Sequence, residues 1–305
     1  MKRREVFRYE LEYQLRNAST WIYAGILFVL AVWISLAMGA DGDGGVHANA
    51  PERLAEVSSL LGMLGVLVTA ALFGDAAVRD IEVEMDPLLF TSPIGKSEYL
   101  GGRFLGALAV NALVVVVIPL GFLAMTGLLL YIGPEVVGPF RIGAYVQPFF
   151  VFVLPNLVSV GAISFTIGVL ARRALPVYFG ALGLFIGTVV ALNYVNEMEG
   201  PMLVALADPF GTVTREKLTQ LWTTAERNTR LVGLPLMLAW NRALWLTLAA
   251  AVLAWLHRRF RFAHVVDGTG RSWLHRRPAP STAEGPAPSK AEGPAFNTLP
   301  SRHTP

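Results

Sequence analysis

Trp21-Ile22-Tyr23-Ala24-Gly25-Ile26-Leu27-Phe28-Val29-Leu30-Ala31-Val32-Trp33-Ile34-Ser35-Leu36-Ala37-Met38-Gly39-Ala40 carries no charged side chain. Twenty such residues make a helix about 30 Å long, the thickness of a bilayer's hydrocarbon core. A soluble core helix would break the run with polar residues on every turn. Five further apolar blocks follow, at Ser58 to Ala77, Phe104 to Ile132, Tyr145 to Ala171, Leu175 to Val195 and Leu234 to Leu256. The expected fold class is therefore an all-α membrane protein, a six-transmembrane-helix bundle over residues 21–262. The third block exceeds what a bilayer needs and contains Pro119, so a tilt or kink is expected there.

Composition agrees. The 305 residues are 54% hydrophobic and 15% charged, with a mean hydropathy of +0.51, which is too little charge for a soluble domain of this length. The pI near 9.3 raises nucleic acid as a partner, but the basic residues flank the apolar blocks and read as topology signals, so no nucleic-acid partner is expected. With the amino terminus inside, thirteen Lys and Arg residues fall in inside segments and seven in outside ones, most of the seven in one long loop. Both termini are thus expected to be cytoplasmic. Cysteine is absent, which excludes disulfides, thiolate nucleophiles and cysteine metal sites.

The flanks differ from the blocks. Phe7, Leu11, Leu15, Ala18 and Ile22 recur at helical spacing with Arg4, Arg8, Glu12 and Arg16 on other faces, predicting an interfacial amphipathic helix over residues 1–20. No small-residue cleavage site follows it, so the first span is expected to be retained. Residues 196–233 hold Trp222 and many polar side chains, and are expected to form an ordered outer cap. Residues 263–305 become rich in Pro, Ala, Ser and Gly and repeat Ala-Glu-Gly-Pro-Ala, which predicts a disordered cytoplasmic tail.

Catalytic motifs are weak. Gly95-Lys96-Ser97 suggests a phosphate loop, but Phe90 stands where that loop needs its first glycine and Pro93 removes a backbone donor. The five histidines form no HExxH pattern, and no GxSxG elbow is present. The expectation is no enzyme, no metal and no cofactor in this chain, with any ATP bound by a partner. Polar residues inside the apolar blocks carry more weight, because each costs free energy in hydrocarbon unless it faces protein or water. They are Asn111, Asn156, Asn241 and Arg242. The bland reading of each asparagine is an interhelical hydrogen bond, and Arg242 is long enough to snorkel outward. Gly102-xxx-Gly106 and Gly183-xxx-Gly187 permit close helix contact, though such pairs arise by chance in a chain of 29 glycines.

Between the second and third blocks, residues 78–103 combine the acidic residues Glu82, Glu84 and Asp86 with an apolar Leu88-Leu89-Phe90 patch. A solvated loop has little use for such a patch, whereas a short helix docking in a partner's groove requires one.

That loop resembles the coupling loop of type-two ABC transporter permeases: a charged run, Leu88-Leu89, Thr91-Ser92-Pro93-Ile94, then Tyr99-Leu100-Gly101-Gly102-Arg103 re-entering a span. More narrowly, Phe7-Arg8-Tyr9-Glu10-Leu11, Asn49-Ala50-Pro51, Leu154-Pro155-Asn156, Asp208-Pro209-Phe210-Gly211, Trp222-Thr223, Glu226-Arg227-Asn228-Thr229 and Asn241-Arg242 resemble the N-terminal permease half of a bacterial family. In that family two permease halves precede a gluzincin aminopeptidase domain, and the likeness covers about residues 4–262. It implies a permease subunit of an ABC-type exporter in the bacterial inner membrane, partnered by an ABC ATPase subunit and a second permease half, homo- or heterodimeric. The chain departs from the family by stopping after one half and a linker, so it is expected to be a split subunit or an incomplete product, and the peptidase activity is not carried over. A non-transporting scaffold that tethers or recruits a peptidase is the rival reading. A secondary transporter ranks third, since it usually requires more intramembrane charge and unwound helices than these blocks hold.

Overall fold

The computed structural model describes residues 2–40, 43–84, 94–194 and 205–260, and among them every regular element is helical. Helix α1 (Lys2–Arg16) is separated from α2 (Ala18–Ala40) by a corner at Asn17. Side chains of α2 close that corner: Thr20 Oγ1 and Trp21 Nε1 donate to the carbonyls of Gln14 and Leu15 at 2.7 and 2.9 Å. These satisfy carbonyls that a helix end leaves without intrahelical donors.

Helices α3 (Pro51–Leu64) and α4 (Val66–Glu82) form a pair bent by 40° at Gly65. Pro51 opens α3 where a missing N–H costs nothing. Next, α5 (Lys96–Val115) and α6 (Val117–Ile132) run together as 37 residues of apolar helix broken at Val116. Pro119 explains the break, because it supplies no N–H to the carbonyl of Val115. Helix α7 (Ile142–Pro148) continues through a π turn at Phe149–Val153 into α8 (Leu154–Ala171), the turn lying between Pro148 and Pro155. The remaining helices are α9 (Leu175–Tyr194), the short α10 (Thr212–Thr219) and α11 (Thr224–Thr229), and α12 (Leu236–Arg259).

Among the described residues, four stretches are long and apolar enough to cross a membrane: Ala18–Gly39, Lys96–Ile132, Ile142–Ala171 and Leu236–Arg259. The bent pair α3 and α4 makes a fifth, and Leu175–Val190 is a shorter apolar helix. The second span, expected at Ser58 to Ala77, is longer at both ends because the charges flanking it are paired inside the fold, as described below.

The core joins α2, α3, α5, α6 and α8 through Leu27, Leu54, Leu61, Phe122 and Met125, all buried. A second cluster packs Phe73, Phe104 and Phe165 with Ala249 and Leu256 of α12. At the end of the bundle away from α1, the connections clasp one another: Asn49 donates to the carbonyl of Gly138 and accepts from its amide at 3.0 and 2.7 Å, and Asn228 bridges His47 and Gly45. Of the expected cap over residues 196–233, residues 205–233 are described and lie at this end, with Trp222 packed beside Ala55, Phe152, Val232 and Leu238, and residues 196–204 lie outside the described residues. The tail, residues 263–305, lies outside the described residues.

Candidate functional site

Glycine spacing decides where α1 sits. Gly101, Gly102 and Gly106 leave a shallow face on α5, and a Cβ added there would come within 3.1 Å of Arg3 Nε, 2.7 Å of Val6 Cβ and 2.6 Å of Glu10 Cβ respectively. Small residues let the helices approach closely. The buried side chains of α1 are consequently Glu10 and Gln14, while Phe7, Leu11 and Leu15 are half-buried and Ala18 and Ile22 exposed. This corrects the apolar stripe read from the sequence. The spacing is helical, but α1 turns its polar Glu10 face into the protein because its partners there are cations.

Those cations are Arg79 of α4 and Arg103 of α5. Glu10 takes Arg79 as a two-pronged pair at 2.9 and 3.1 Å and Arg103 at 2.6 Å, while Gln14 donates to it at 2.6 Å. Arg79 also pairs with Asp75, Arg103 pairs with Asp80, and Tyr99 donates to Asp80 at 2.8 Å. The Arg79 guanidinium lies 3.6 Å from the centre of the Tyr13 ring. Fork-shaped guanidiniums suit such sharing, since one Arg can satisfy two carboxylates at once. Three helices are thereby bound into one block.

Residues 78–103 are therefore not one loop. Arg79 and Asp80 belong to α4, and Lys96 to Arg103 belong to α5. The charges of Arg79, Asp80 and Arg103 read as loop charges in sequence, yet they are buried among opposite charges that neutralise them. The connection proper begins after Glu82, which is exposed on the last turn of α4, and Glu84 follows at a positive φ of 54° that ends the helix. Gly95 opens α5 with Glu98 reaching back to its amide at 3.0 Å. Asp86, Leu88, Leu89 and Phe90 lie outside the described residues.

The polar residues expected inside the apolar blocks fall in two places. Asn111 donates to Thr69 of α4 at 3.0 Å, an interhelical bond. Asn156, Asn241 and Arg242 gather at the opposite end of the bundle from Glu10. Arg242 is buried, donates to Asn156 Oδ1 at 2.5 Å and reaches the carbonyl of Pro209 at 3.5 Å, so it turns inward instead of snorkelling. Among the described residues, its Nε and Nη2 have no hydrogen-bond partner. Asn156 also donates to the carbonyl of Phe210 at 3.2 Å, and Asn241 donates to those of Ala205 and Asp208 at 2.7 and 2.9 Å. Asp208 is engaged by the amides of Phe210 and Val213, each at 2.8 Å. Burial pushes its carboxyl above the usual range, against the pull of those amides and of Arg242. Nearby, Arg215 joins Glu52, Glu56 and Ser59 of α3 at 3.6, 3.7 and 3.2 Å.

Sequence reasoning missed Glu10, Arg79 and Arg103 as a unit. The signal for it was the Gly101-Gly102-xxx-Gly106 face, whose small side chains demand an inlaid neighbour. The second glycine pair, Gly183 and Gly187, has nothing within 4 Å of an added Cβ and makes no such contact. Among the described residues, no group of three or more His, Asp and Glu is placed to hold a metal ion. No family model matches the chain, and no curated protein matches it.

Proposed function

We propose that the chain is the transmembrane (permease) subunit of an ABC-type exporter in a bacterial inner membrane, driven by a separate ATPase. The observation that carries this reading is the ionic block of Glu10, Arg79, Arg103, Asp75 and Asp80 at the base of the connection between α4 and α5. A connection that only joined two helices would have no need of such a base. A connection that receives force does, because displacement must pass into the bundle without being absorbed by local bending.

In this reading six spans are made by the four long apolar helices, the bent pair α3 and α4, and α9. The 20 residues of α9 give about 30 Å, enough for one crossing. The end bearing α1, Arg172, Arg173 and the closing His257, Arg258 and Arg259 of α12 is cytoplasmic. At the other end Arg53 and Arg215 are paired with acidic residues of α3, which fits the less basic outer side. Helix α1 then lies at the cytoplasmic membrane interface. The loop with Glu82, Glu84, Asp86, Leu88, Leu89 and Phe90 docks on the ATPase, and a second permease half completes the path.

Nucleotide-driven motion of the ATPase would shift this loop, and the ionic block would carry α1, α4 and α5 with it as one body. Bending at Gly65 would let the α3 half stay with the outer end while α4 moves. The test is a Leu89→Ser/Phe90→Ser double variant, with insertion checked by thiol labelling at engineered cysteines at positions 47 and 216. Each buried apolar side chain contributes about 1.5 to 3 kcal/mol, so an ATPase that co-purifies with the wild type should be lost. Retained ATPase on a correctly inserted variant would sink the coupling role.

A further inference from the structure

We infer that the cavity between α5 and α12 at the α1 end is a binding site for an anionic phospholipid. The cavity is about 270 Å³ and is lined by Arg3, Ser97 and His257 together with Leu100, Phe104, Leu105, Phe165, Leu253 and Leu256. Its polarity is graded along both helices. On α5 the lining passes from Ser97 to Leu100 and Gly101 and then to Phe104 and Leu105, a fall of about 10 Å at 1.5 Å per residue. On α12 it passes from His257 through Leu256 to Leu253. Both walls thus turn from polar to apolar in the direction that leads into the bundle, which is the polarity of an amphiphile. A free anion would have no use for the apolar depth, and a sterol-like or hydrocarbon ligand would have no use for the rim.

The charge of the rim selects the headgroup. Arg3 lies over Gly101, which places its guanidinium on the α5 side of the cavity. His257 faces it from α12, and Arg258 and Arg259 follow on the same last turn. None of the described residues lining the cavity is acidic. Arg3, the Ser97 hydroxyl and the His257 imidazole supply donors for a phosphodiester, and Phe104, Phe165 and Leu253 supply the seat for the first part of an acyl chain. A zwitterionic headgroup would bring an ammonium to a rim with no carboxylate to receive it. The bound lipid would link the amino-terminal helix to the last one, two elements otherwise separated at this point by the cavity.

The experiment uses the full chain purified in a neutral detergent and stripped of lipid, with thermal unfolding followed as phosphatidylglycerol, phosphatidylethanolamine or inorganic phosphate is titrated in. Phosphatidylglycerol should raise the melting temperature saturably, and the other two should do so weakly or not at all. Arg3→Ala/His257→Ala should weaken the phosphatidylglycerol response roughly 10- to 30-fold. Leu253→Trp, which fills the apolar depth and leaves the rim intact, should abolish it. An equal response to phosphatidylethanolamine, or to phosphate alone, would overturn the assignment, as would a wild-type response in Leu253→Trp. Should the double variant not fold, the lipid comparison on the wild type and the Leu253→Trp variant still decide the matter.

Discussion

The two ends of the bundle each bury arginine, and they solve the cost differently. At the α1 end Arg79 and Arg103 meet Glu10, Asp75 and Asp80, so charge answers charge. At the far end Arg242 rests on an asparagine oxygen and a backbone carbonyl, while Asp208, the nearby carboxylate, is occupied in capping its own turn. The first arrangement is strong only when complete, since removing one partner strands the others without water. The second has less to lose. What the contrast teaches is that the α1 end is built as a rigid joint, and the Arg242 site as a latch made from neutral oxygens, set apart from the ion pairs that Arg215 makes with Glu52 and Glu56 at the same end.

The contrast breaks most sharply at Glu10. Glu10→Ala leaves two guanidiniums short of a carboxylate, and thermal or denaturant unfolding in detergent should show a loss of about 3 to 5 kcal/mol. Arg103→Leu should cost a similar amount by stranding Asp80 and Glu10. A loss below about 1 kcal/mol in both would mean that the block is surface decoration.

Gly211 tests the latch from its backbone side. Its φ of 72° disfavours any side chain, and an added Cβ would fall inside the Arg242 guanidinium. Gly211→Ala should therefore cost about 2 to 3 kcal/mol by the same unfolding measurement. A neutral outcome would show that Arg242 has room to leave.

Arg242→Leu sharpens the comparison, because an arginine whose hydrogen bonds go only to neutral oxygens can be replaced by an apolar side chain at little cost. The expected change is under about 1.5 kcal/mol, against the larger loss at Arg103. Equal losses at the two positions would erase the distinction between joint and latch.

The smallest effect lies on the exposed connection of the far end. Thr223 and Glu226 form a capping box on α11, and hydrogen bonds from the Thr223 amide and hydroxyl hold the Glu226 carboxyl below its usual value of 4.5. A carboxyl lowered in the folded state contributes stability above its unfolded pKa and loses it as pH falls through the folded one. The melting temperature should thus fall slightly below about pH 4.5 in the wild type, and this component should be missing in Glu226→Gln.

Much of the helical framework was legible in sequence, and the reason is visible in particular blocks. The blocks beginning at Trp21, Phe104, Tyr145 and Leu234 match helices because lipid-compatible length is a local property. The second block was drawn short because Glu52, Arg53 and Glu56 at one end and Arg79 and Asp80 at the other look like loop charges until their partners are known. Asn156, Asn241 and Arg242 were recognised as polar residues in apolar surroundings, and the structure brings them together around residues 205–211. Their grouping was not legible, since it depends on how a distant turn folds back. Glu10 was hidden for the same reason: an acidic residue in a polar leader carries no local mark of burial.

The seat of α1 has a consequence for how the chain is made. Glu10 leaves the ribosome before Arg79, which stands 69 residues later, and before Arg103, which stands 93 residues later. The Gly101, Gly102 and Gly106 face arrives with the second of these. Until then α1 has no groove and at most one of its two cations, Arg79, and it waits unseated beside the growing bundle. Helix α1, made before both of its partners, is thus seated only after them, and its closure onto α5 joins α1, α4 and α5 into a single body.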